Sequence, residues 1–133
     1  MSKIFLVIAA INGFLAVTLG AFGAHGLKGK ITDSLFSAYE TAVQYHFYHT
    51  LALFGLALLV QKLGEKTLLH FSGWFFIVGM VLFCGSLYAL ALGAPCWLGP
   101  VTPLGGVALL VAWALLLIAS LSTDRRFVST GSC

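Results

Sequence analysis

The chain has 133 residues, of which 60% are apolar and only 8% charged, with a net charge of +3. Soluble domains carry about 25% charged residues, so this surface needs lipid around it, and the length allows one compact unit. No basic run is long enough for nucleic acid, and the few cations are accounted for by membrane topology.

Taken in order, four apolar stretches each meet the roughly 17–25 residues that cross about 30 Å of hydrocarbon as a helix. The first spans 4–22. It exceeds the 7–15 apolar residues of a secretory signal core, so it is predicted to be a retained membrane helix despite Lys3 before it and the small residues Ala21 and Gly23 near its end. The second is predicted over 34–60, longer than the bilayer, with Ser34 as N-cap and Glu40 near water or paired. The third covers 68–92 and the fourth 104–121. None shows period-2 alternation, so helices are expected rather than strands. The predicted fold is an all-α, integral-membrane, up-and-down four-helix bundle, a single unit over 1–133.

Lysine and arginine counts set the orientation. Lys3, Lys62, Lys66, Arg125 and Arg126 share one side, against Lys28 and Lys30 on the other, which predicts both termini in the cytoplasm. The uncharged connection from Gly93 to Pro103 suits a translocated hairpin, with Trp97 at the outer interface and Trp74 near the inner one. Cys84, Cys96 and Cys133 fall at three different depths, so no internal disulfide is expected.

Small residues form stripes: Ala9, Gly13, Ala16 and Gly20 on the first helix, Ser72, Gly79, Ser86 and Gly93 on the third, Gly105, Ala108, Ala112 and Ala119 on the fourth. Such stripes let helix backbones approach closely in lipid. They serve packing inside the bundle or, alternatively, one of them faces a partner chain. Asn12 borders the first stripe and has reach for a neighbouring helix.

The antiparallel order gathers polar residues at one end of the bundle, predicted to face outward. Tyr45, His46, His49 and Thr50 fall within an arc of about 140° on the second helix. A neutral imidazole at His49 needs a donor and an acceptor partner. It is expected to tie the second helix to a hydroxyl of the third, Tyr88 or Ser86, which point to different faces. The candidate ligand-binding set is His49, His46, Tyr45, His25, Tyr88 and Ser86. His46 and His49, three apart, have ligand spacing, with Glu40 or His25 as a third group. No other helix offers a carboxylate, so neither a metal nor another cofactor is expected. Gly20–Gly26 lacks the spacing and preceding strand of a phosphate loop and reads as a tight exit from the first helix, with His25 anchoring the turn.

GAFGAHGL (Gly20 to Leu27), YHTLALFGLAL (Tyr48 to Leu58), FCGSLYALAL (Phe83 to Leu92) and TPLGG (Thr102 to Gly106), with Trp113 beyond, resemble in sequence and order the YgdD/YwdK-like family of small inner-membrane proteins of unknown function. The resemblance covers nearly the whole chain. It implies four helices, histidines matching His25 and His49, no requirement for His46, and a small Ser-like residue usual where this chain has Cys84. It carries no activity, substrate or cofactor.

Two functions follow from these features, with a metal-dependent enzyme at the same histidines as a weaker third. One is a non-enzymatic accessory or structural subunit in the bacterial inner membrane, associating with another membrane protein or with itself. The other is binding or transport of a lipid, quinone or small solute at the polar cluster around His49.

Overall fold

The computed structural model describes residues 2–64, 66–93 and 95–131, without side chains for Cys96 and for 123–131. Four long helices make up the architecture: α1 (Ser2–Phe22), α2 (Asp33–Leu63), α3 (Thr67–Ala91) and α4 (Val101–Gly131). All four are long and apolar enough to cross a membrane, the crossing part of α4 being Val101–Ser122. A π-helical turn, Gly23–Leu27, extends α1, and a short 3₁₀ turn, Cys96–Leu98, precedes α4. Among the described residues there are no strands.

Local chemistry explains where the ends differ from the sequence expectation. Thr32, not Ser34, caps α2, its hydroxyl accepting from the Leu35 N–H at 3.3 Å. Ser34 lies inside the first turn. The 31 residues of α2 span about 46 Å, well beyond a bilayer core of about 30 Å. α4 starts three residues before the expected 104, because Pro103 in its first turn lacks only an N–H that would have no helical partner anyway. Gly64 ends α2 with φ +93°, a conformation open to glycine, and its N–H bonds the Val60 carbonyl.

Each helix packs on its neighbours in sequence: α1 on α2, α2 on α3, α3 on α4. The short connections at 28–32 and 64–66 impose this antiparallel order. α2 and α4 flank α3 without an extensive interface of their own. α2 is the most buried span and α1 the least. The helix that carries the polar residues is therefore the one most enclosed by protein, as hydrocarbon requires.

The α3–α4 seam is the tightest. A Cβ at Gly79 would meet the Leu109 side chain, and one at Gly105 would enter the backbone of Leu82 and Phe83. Ser72 donates to the Ala112 carbonyl at 2.8 Å, and the Ser86 and Thr102 hydroxyls bond each other. On α1, Gly13 and Gly20 face Thr50 and Val43 of α2 at 3.7 and 3.4 Å from an added Cβ. All three stripes thus pack against helices of the same chain, save Gly93, which is exposed beyond the end of α3. The main apolar core (Phe5, Leu53, Leu56, Leu69, Phe76, Met80, Leu109) fills the middle and the end where α2 meets α3. A smaller cluster of Leu27, Tyr39 and Ala91 closes the other end.

Candidate functional site

The buried positions of α2 recur at three- and four-residue spacing: Tyr39, Ala42, His46, His49, Thr50, Leu53. That period turns both histidines inward, but toward different neighbours. The His46 ring, 6% exposed, lies between α1 and α3. Its Nε2 is 2.9 Å from Asn12 Oδ1, and its Nδ1 is 3.1 Å from the Tyr88 hydroxyl. The Asn12 amide nitrogen donates to the Ile8 carbonyl at 2.8 Å, which leaves its oxygen for the imidazole. The network therefore assigns the proton to Nε2, with the Tyr88 O–H donating to Nδ1. Every polar atom of the His46 ring is satisfied, and three helices are joined through it.

His49 is arranged otherwise. Its Nδ1 lies 2.8 Å from the Tyr45 carbonyl of the preceding turn, and the ring is 7% exposed. Phe76 and Trp113 flank it, each with ring centroids 6.0 Å away. Beside it α2, α3 and α4 enclose a trough of about 460 Å³, lined by Tyr45, His49, Phe83, Gly106, Leu110 and Trp113 among others. The trough exists because α2 and α4 both lean on α3 and share no extensive interface with each other. Its rim residues Leu110 and Trp113 are 70% and 45% exposed, so it opens to lipid. Tyr45 stacks on Phe83 at 4.7 Å and forms one wall.

The six candidate ligand-binding residues do not form one cluster. His46 and Tyr88 belong to the three-helix clamp, and Tyr45 and His49 belong to the trough. His49 was expected to reach Tyr88 or Ser86. Tyr88 instead bonds His46, while Ser86 turns to the opposite face of α3 and bonds the Phe83 carbonyl and Thr102. The expected turn-anchoring role of His25 is not seen either: it is exposed on the π turn, and no hydrogen bond or ring contact to the other candidates is present among the described residues. That turn is held instead by Gly23, which packs on the Tyr39 ring, while the Tyr39 hydroxyl donates to the Leu19 carbonyl. Glu40 and Gln44 line a separate cleft of about 250 Å³ with Lys28. Among the described residues no three His, Cys, Asp or Glu side chains gather as a metal site. Cys84 is buried and free, and Cys96 and Cys133 lie outside the described side chains. Sequence reasoning passed over Phe83, Gly106 and Leu110 as trough lining. The available signal was Trp113, a tryptophan in mid-span rather than at an interface.

Four apolar spans, with their polar side chains turned inward or placed at the ends, define a multi-pass helical membrane protein. The chain belongs to the family described as "Protein of unknown function (DUF423)", whose model matches residues 19–106. It is 48% identical over 118 residues to the UPF0382 membrane protein YwdK of Bacillus subtilis (strain 168), covering 89% of this chain and 96% of the relative. It is 41% identical over 128 residues to the UPF0382 inner membrane protein YgdD of Escherichia coli (strain K12), covering 96% and 97%. No solved structure matches it. The chain is accordingly an inner-membrane protein of an uncharacterised family.

Proposed function

We propose that this protein is a non-enzymatic, membrane-embedded binding protein that takes a small apolar ligand from the bilayer into the trough between α2, α3 and α4. One observation carries the reading. His49 is only 7% exposed, among the described residues only one of its ring nitrogens has a protein partner, and it lines a cavity of ligand size. The unpartnered nitrogen is not sealed inside the protein; a lone pair left facing hydrocarbon is costly, and a ligand that supplies a donor gives the reason for keeping it. An accessory or self-associating subunit would be expected to meet its partner through the small-residue stripes. The stripes face neighbouring helices of this chain, so a partner or a second copy would have to engage outer faces such as Phe14, Leu51 and Val81.

Native mass spectrometry of protein extracted in mild detergent tests the binding reading. Wild type is expected to retain a bilayer-derived molecule. Gly106→Leu, which places a side chain in the trough, is expected to lose it at least about tenfold. Equal retention by both proteins would remove the trough from consideration.

We propose further that both termini are cytoplasmic and the trough lies in the outer half of the bilayer, a reading supported by the Lys and Arg distribution. Lys28 and Lys62 are exposed at opposite helix ends. In intact cells, with Cys84, Cys96 and Cys133 replaced by serine, a membrane-impermeant maleimide should label Lys28→Cys and spare Lys62→Cys. The reverse pattern would invert the orientation.

A further inference from the structure

Resting on the binding reading above, we propose that the trough selects membrane-soluble hydroxyl compounds — alcohols, phenols or hydroquinones — whose O–H donates to His49 Nε2. Nδ1 sits 2.8 Å from the Tyr45 carbonyl, and a carbonyl oxygen only accepts. Nδ1 therefore carries the hydrogen of the neutral imidazole, and Nε2 presents a lone pair. His46 holds the opposite tautomer one turn earlier, because its own partners demand it.

The Nε2 lone pair is not sealed in the protein. Among the described residues every fully buried side-chain nitrogen or oxygen has a partner, and His49 Nε2 has none. It is consequently accessible, and the space beside His49 is the trough. No carboxylate lines that space, so nothing there accompanies a second ring proton. Acyl chains and their esters offer no donor. An ether or quinone oxygen would set lone pair against lone pair, whereas a hydroxyl completes the hydrogen bond. The walls add a shape requirement. Tyr45 and Phe83 are stacked within 25° of parallel, and Trp113 stands edge-on to Phe76 at 89°, which favours a flat or slender apolar body. From Pro103 to Trp113 the α4 wall runs about 15 Å, half the hydrocarbon core, so such a body lies along α4 with its hydroxyl at the deep end.

A matched pair of probes decides the matter: 2-bromodecan-1-ol and its methyl ether, with bromine quenching read at Trp113. The protein is the full chain carrying Trp74→Phe and Trp97→Phe, in detergent micelles. The alcohol is expected to quench saturably and the ether to need roughly tenfold more, the size of one lost hydrogen bond to a buried acceptor. His49→Phe should bring alcohol and ether together at the weaker value. Gly106→Leu should abolish saturation by the alcohol. Equal saturable quenching by alcohol and ether, still abolished by Gly106→Leu, would overturn the hydroxyl selectivity and leave the binding site standing. No saturable quenching by either probe would overturn both.

Discussion

Gly105→Ala should destabilise the bundle by about 3 kcal/mol, while Gly106→Ala, one residue along the same helix, should change stability by less than about 1 kcal/mol and in the favourable direction. The contrast lies in what each new methyl meets. At Gly105 it would lie 2.8 Å from Phe83 Cα and 2.9 Å from the Leu82 carbonyl carbon, and closer still to the Phe83 nitrogen. Those are backbone atoms of α3 and cannot rotate aside, so α4 must lift off α3. The movement would strain the Ser86–Thr102 and Ser72–Ala112 hydrogen bonds that tie the seam on either side. At Gly106 the nearest atoms are 3.8 and 4.0 Å away on the Phe83 ring, ordinary van der Waals distances. Both changes gain helix propensity, so the difference isolates the clash. Unfolding in mixed micelles of increasing SDS fraction, followed by circular dichroism, measures it. Similar midpoints for the two variants would mean that the helices do not approach as closely as Gly105 requires.

His46→Leu should cost about 2–3 kcal/mol, and adding Tyr88→Phe to it should restore part of the loss rather than deepen it. The leucine removes two hydrogen bonds and leaves the Asn12 amide oxygen and the Tyr88 hydroxyl facing an apolar side chain. Interhelical hydrogen bonds in membranes are individually worth only about 0.6 to 2 kcal/mol. Most of the expected loss therefore comes from polar groups stranded without partners. Tyr88→Phe alone should cost less, about 1–2 kcal/mol, because it strands one acceptor, His46 Nδ1, where the leucine strands two groups. In the His46→Leu background the same change deletes a stranded hydroxyl. The double-mutant cycle in the same SDS titration gives the coupling directly. Additive losses would show that the imidazole and the phenol act independently, and the three-helix clamp would not hold.

Much of the fold is legible in the residues one by one. The apolar runs are too long and too continuous for anything but membrane helices, and each observed helix overlaps its expected span. Helix ends were less legible, because caps depend on one side chain finding one N–H: Thr32 reaches Leu35 and Ser34 does not serve. The candidate site was legible only as a level in the membrane. Histidine spacing placed His46 and His49 on the inward side of α2, and the sequence carries nothing on which neighbour each would meet. The partner expected for His49 belongs to His46, because Tyr88 and Ser86 diverge around α3 and only Tyr88 faces the α1–α2 groove.

Composition and run length alone made this chain a four-span membrane protein, since the free energy of placing apolar residues in lipid is nearly a sum over residues and can be read without knowing their neighbours. The division of labour between two similar histidines was decided by tertiary structure. Hydrogen bonds are directional and pairwise, so only the packing of α1 and α3 against α2, with α4 beyond α3, determined that His46 has partners at both nitrogens while His49, among the described residues, has one at Nδ1 alone.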